Sequence, residues 1–107
     1  MNSFRDKEKA AETKFVLEAA EEFKAEARRN KKIAIWAGNM MNKSEEEAKK
    51  YIGEVIMADM EEAGDDDVYR KLRADFTEAG VEISDIAIRD KLKTMLAEAR
   101  QEIADER

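Results

Sequence analysis

The densest positive charge in the chain is Arg28-Arg29-Asn30-Lys31-Lys32, and the single tryptophan, Trp36, follows two helical turns after Arg29. Arginine forks pair with phosphate oxygens in two-point geometry, and an indole face can stack on a base. Arg28, Arg29, Asn30 and Trp36 therefore form a candidate site for a phosphate group and a stacked adenine. A solvated helix face with Trp36 turned into a core accounts for the same residues, and spacing alone favours it. The acidic run Glu61-Glu62-Ala63-Gly64-Asp65-Asp66-Asp67 lacks the alternating ligand spacing and distal glutamate of a calcium loop. It reads instead as a helix end, a turn and a capped start. Asp59 stands at the edge of an apolar stripe, where a salt bridge is expected rather than catalysis. The remaining carboxylates fall on polar faces, with ordinary solvated behaviour expected.

The 107 residues contain no histidine and no cysteine. That removes disulfides, thiolate chemistry, histidine acid–base catalysis and zinc sites of the usual kind. No activated nucleophile, metal set or phosphate loop supports an enzyme, and no cofactor is required. Proline is absent and 43% of residues are charged, which argues for an all-α protein. No stretch approaches the roughly 20 apolar residues of a membrane span, and the N-terminus has no signal core. A cytoplasmic monomer is the expectation. Residues 1–32 hold nine Lys/Arg against seven Asp/Glu, a net of +2, while residues 33–107 carry −8. An acidic body of this kind discourages nonspecific nucleic-acid binding.

The elements that must position these residues are helices at about 20–42, 44–63, 66–79 and 84–105, joined by short links that favour an antiparallel four-helix bundle. Helix 1 has nothing to stop it between Asn2 and Met41 except Gly38. Its stripe runs thinly through Phe15, Phe23 and Ala27 and thickens at Ile33, Trp36, Ala37 and Met40. Ser44 with Glu47 forms a capping box for helix 2, whose stripe is Ala48, Tyr51, Ile52, Val55, Ala58 or Asp59, and Met60, ending at Gly64. Helix 3 starts at Asp65 or Asp66, buries Val68, Leu72, Phe76 and Ala79, and stops at Gly80. In helix 4, Ser84 caps, Ile83 staples to Ile88, and the stripe is Ile88, Leu92, Met95, Leu96, Ala99 and Ile103.

Residues 1–19 stand apart from this bundle of residues 20–107. Between Phe4 and Phe15 there is no large apolar side chain, yet every residue suits a helix. One reading is a frayed terminus. The other is a helix that docks in a partner's groove, anchored by Phe4 and Phe15, which lie about 20° apart around the helix. Pattern leaves both open.

Several blocks in order resemble one family. They are F-R-D-K-E-K-A-x-E-x-K-F at residues 4–15, F-K-x-x-A-R-R-N at residues 23–30, Trp36-Ala37, A-D-M-E-E-A-G-D-D-D-V at residues 58–68, R-K-L-R-A-D at residues 70–75 and G-V-E-I-S-D at residues 80–85. The chain resembles the zeta subunit, a small inhibitor of alphaproteobacterial F-type ATP synthases. The resemblance implies a four-helix bundle with a mobile inhibitory N-terminal segment. That segment enters an interface between alpha and beta subunits of the catalytic head, with gamma as a further partner, and blocks ATP hydrolysis. It implies contacts from Phe4, Arg5, Asp6, Glu8, Lys9, Lys14 and Phe15. It also implies ADP/ATP binding to the bundle and a place at the inner face of the inner membrane, through the synthase. Family members often carry a glycine where this chain has Ala34, and an acidic-histidine pair where it has Val16-Leu17-Glu18. A histidine pH switch is therefore missing here. A nucleotide sensor and a general helical adaptor are the other readings of the same chain.

Overall fold

The computed structural model describes the backbone of residues 3–61 and 66–107 and the side chains of residues 17–61 and 66–107. Four helices make up the fold: α1 (Ser3–Met40), α2 (Glu45–Asp59), α3 (Asp66–Glu78) and α4 (Asp85–Asp105). No strand occurs among the described residues. α1 runs without a break through the expected junction at residues 19 and 20.

Cross-helix pairs fix the topology. Asp59 meets Arg29 and Asn30, so α2 returns antiparallel to α1. Lys71 meets Glu54, and Tyr51 donates to Asp75 at 2.8 Å, which reverses α3 on α2. Arg73 reaches Asp85 and Arg89 reaches Asp66, which reverses α4 on α3. Glu102 pairs with Arg28 and Lys32, which closes α4 back on α1. The result is an up-down-up-down bundle.

Local chemistry explains the turns. α1 ends in a Schellman motif with Asn42 as its left-handed residue (φ 55°), Lys43 N–H donating to Gly38 O and Asn42 N–H to Asn39 O. α3 ends the same way at Gly80 (φ 72°), with Val81 N–H to Phe76 O at 2.9 Å. The Ser44 capping box is complete: Glu47 N–H donates to the serine hydroxyl, and Ser44 N–H donates to the Glu47 carboxylate at 2.8 Å. Ser84 caps α4 by accepting from Ala87 N–H at 3.1 Å.

The main core joins Ile33, Ala34 and Ala37 of α1 to Tyr51, Val55, Val68, Leu72, Phe76, Ile88 and Leu92. A second, slimmer cluster of Ala25, Ala99 and Ile103 continues between α1 and α4 alone. Five expected stripe members are exposed: Phe23 and Met60 at 75% each, Met40 at 41%, and Ala27 and Ala79. For Phe23 and Met60 the cause is the early end of α2. It stops at Asp59, with Met60 N–H tightened onto Met57 O, short of the expected Gly64. Asp59 and Glu61 crowd negative charge at a helix C-terminus that has no basic residue in its last turn, which opposes the helix dipole. The expected caps at Gly64 and Asp65 lie outside the described residues.

Candidate functional site

Past the end of α2, α1 is held by α4 alone. Ala25 and Ala99 let the two backbones come close, and charges flank the seam. Arg28 donates to Glu106 at 2.6 Å and to Glu102 at 3.3 Å. Lys32 hydrogen-bonds Glu102 and lies 3.5 Å from Glu98. Arg100 forks onto Glu22 with contacts of 2.5–3.1 Å, and Arg107 grips Glu21, Nε to Oε1 at 2.8 Å. Among the described residues these pairs form a charged clasp at the root of the N-terminal arm.

The clasp shifts its own titrations. The Arg100 hydrogen bond holds the Glu22 carboxyl below the usual carboxylate range. Lys32 does the same for Glu102, and Arg28 for Glu106. In return Glu106 raises Arg28, Glu102 raises Lys32 and Glu21 raises Arg107. Glu47, through the Ser44 backbone bond, and Asp85, through Arg73, are also lowered. The expectation of ordinary solvated carboxylates therefore fails at these partnered positions. Exposed pairs each contribute little to stability, but several on one seam fix its register.

The solvated-face reading also fails for two members of the basic cluster. Arg29 is fully buried and Asn30 is 2% exposed. Arg29 Nε donates to Asn30 Oδ1 at 2.8 Å, Asn30 Nδ2 donates to Asp59 Oδ2 at 2.8 Å, and Arg29 stands 3.6 Å from Asp59 Oδ1. The salt bridge expected at Asp59 is this one. Its countercharge is what allows a guanidinium inside the bundle. Trp36 is half-buried, edge-on to Phe76 with centroids 5.5 Å apart, and Lys91 lies 5.7 Å from its ring centre.

Thus Arg28 faces α4, Arg29 and Asn30 engage α2, and Trp36 lies against α3 and α4. A nucleotide taken by these residues must replace Glu102 and Glu106 at Arg28, and Asp59 at Arg29. The expected partner contacts Phe4, Arg5, Asp6, Glu8, Lys9, Lys14 and Phe15 lie on the helical backbone of α1, but their side chains are outside the described residues. Pattern reasoning missed the clasp. Its signal was present: Glu98, Glu102 and the cap residue Glu106 recur every four residues along α4 and its end, opposite Arg28 and Lys32 at i+4 on α1.

The family model for ATPase inhibitor subunit zeta matches residues 1–102, which takes in the arm and nearly all of the bundle, with the clasp residues Glu106 and Arg107 just beyond it. The chain belongs to this family. A protein whose structure was solved by solution NMR is 40% identical and superposes with a TM-score of 0.67, over 79% of this chain and 96% of its own. No curated protein matches the chain. Membership in an ATPase inhibitor family supports a regulatory role rather than a catalytic one, and implies interaction with ATP synthase. Among the described residues, no helix is long and apolar enough to cross a membrane, and no group of three or more acidic side chains is placed to hold a metal ion.

Proposed function

We propose that this zeta-family protein blocks ATP hydrolysis by inserting residues 1–19 at an alpha/beta interface of the synthase head. The bundle stays outside the groove. One observation carries the reading: α1 is a single helix from Ser3, while its companion α4 ends at Asp105, with Arg107 abreast of Glu21. At 1.5 Å per residue, α1 runs on for roughly 25 Å beyond that point. Helical register adds to this. Position 15 lies about five full turns ahead of Ile33, and position 4 about three turns further. The arm's phenylalanine positions thus continue the stripe that α1 buries in its own core. A groove wall takes the place that α4 and the core hold further along. Burial of Phe4 and Phe15 would contribute about 2–3 kcal/mol each, and the docked arm opposes the closure that hydrolysis requires.

ADP or ATP would act through Arg28, Arg29, Asn30 and Trp36 by competing for charges now held by Glu102, Glu106 and Asp59. Competition at Arg28 loosens the arm's root. The protein would sit at the inner face of the inner membrane through its hold on the synthase. Deleting residues 1–15 and measuring ATP hydrolysis by the isolated head tests the inhibitory reading. Loss of inhibition with the bundle still folded is expected, and full inhibition by the truncated chain refutes it. Backbone amide shifts during nucleotide titration test the second part, and no change around residues 28–36 rejects that site.

A further inference from the structure

α1 carries a second apolar seam that also runs out beyond its covering helix. Asn30 and Ala34 share one line along α1, and Met41, just past its end, continues it. Asn30 is bonded to α2 through Asp59, Ala34 is buried, and Met41 is half-buried. Phe23 stands about two turns before Asn30 on the same line. α2 ends at Asp59, beside Asn30, so its backbone stops short of Phe23. The ring is left 75% exposed, flanked by exposed Ala20 and Ala27 at i−3 and i+4. A lone exposed hydrophobic residue is ordinary. Ile86, 73% exposed in the first turn of α4, is such a case. Phe23 differs in register and in place: it lies on the same unbroken helix as the arm, about 12 Å beyond position 15.

We infer that Phe23 is a second anchor, docking on the same catalytic head at the mouth of the groove that takes the arm. The inference rests on the inhibitory reading above. Inside the bundle α1 is held from two sides, by α4 on one seam and α2 on the other. Both coverings stop before the arm begins, α4 near Glu21 and α2 near Asn30. A rigid helix seated in a groove brings its next two turns to the rim. There an apolar pocket on the head replaces α2, as the groove wall replaces α4. The small neighbours Ala20 and Ala27 let that wall approach the helix backbone closely.

The test uses the full chain with Phe23→Ala, Phe23→Glu and, as a control, Ile86→Glu. Both sites are exposed, so helicity and melting temperature should match the parent. Inhibition of ATP hydrolysis by the isolated head should weaken roughly ten- to hundredfold for Phe23→Ala, and more for Phe23→Glu. Ile86→Glu should leave it unchanged. If the Phe23 variants inhibit like the parent while deletion of residues 1–15 abolishes inhibition, the second anchor is refuted and the arm reading stands. If the deletion still inhibits fully, both fall. A self-associated parent that Phe23→Glu dissociates, with inhibition unaltered, would assign the seam to a second copy of the chain and overturn the proposal.

Discussion

Removing the Asp59 carboxylate is the sharpest test of how α1 is held. Arg29 is fully buried, and Asp59 is its countercharge at 3.6 Å and the acceptor for Asn30 at 2.8 Å. At an effective dielectric of 20, the attraction at that distance is about 4–5 kcal/mol. Part of this is offset because the Asp59 side chain is 23% exposed and partly screened. Removing one partner of a buried pair typically costs about 3–5 kcal/mol, and the nearby Glu22 charge, which also interacts with Arg29, reduces that cost. With the discount for exposure, Asp59→Ala should destabilise by about 2–4 kcal/mol. For a domain of this size that lowers the melting temperature by about 10–25 °C. Asp59→Asn keeps an acceptor for Asn30 and should fall between the parent and Asp59→Ala. The double variant Arg29→Met with Asp59→Leu removes both charges and should lie within about 1–2 kcal/mol of the parent. Urea denaturation of the four proteins measures this directly. A loss below about 0.5 kcal/mol in Asp59→Ala, or a double variant worse than the single, refutes the view that this pair pins α1 to α2.

Three further outcomes follow from named contacts. Glu22, Glu102 and Glu106 have carboxyls lowered from the ordinary 4.5 by their arginine and lysine partners. Their contribution is therefore full above that value and is lost as pH falls through the lower folded values. Carbon shifts of residues 98–107 should change below about pH 4.5, before those of the main core. Simultaneous change refutes the separate clasp. Ser44→Ala removes the hydroxyl that accepts from Glu47 N–H and should cost about 1 kcal/mol by urea denaturation. Phe76→Ala should cost about 3–5 kcal/mol and alter Trp36 fluorescence, because the two rings meet edge-on.

What was legible in the sequence was local. The capping box at Ser44, the Gly80 stop and the Val68, Leu72, Phe76 triplet each depend on residues within one or two turns, and all are present. The failures concern where a facing helix stops. Periodicity puts Phe23 on an apolar stripe, but its burial needs a neighbour and α2 ends too early to provide one, while Met60 falls just past that helix end. Arg29 failed in the opposite sense. Its buried state depends on Asp59, thirty positions away, which no local window contains. Composition and spacing single out Arg28, Arg29, Asn30 and Trp36, but the charges of Arg28 and Arg29 are engaged by α4 and α2 through distant residues that no local pattern contains.

Under the proposed inhibitory mechanism, the continuity of α1 explains how an arm without its own core could act. An isolated helix must first form a nucleus, with an equilibrium factor of about 10⁻³, or roughly 4 kcal/mol. In this protein Ala25, Arg29, Ile33, Ala34 and Ala37 fix that nucleus by packing in the bundle. Residues 3–16 then extend an existing helix, one hydrogen bond for each residue ordered. The clasp at Glu21, Glu22 and Arg28 holds the last bundle turn from which the extension begins. A peptide of residues 1–19 should therefore inhibit the isolated head at least a hundredfold more weakly than the whole chain, because it lacks both the nucleus and Phe23. Full-length Phe23→Glu separates the two causes, since it keeps the nucleus and loses only the ring. If the peptide matches the whole chain in inhibition assays, the bundle contributes neither template nor second anchor, and its clasp has no part in inhibition.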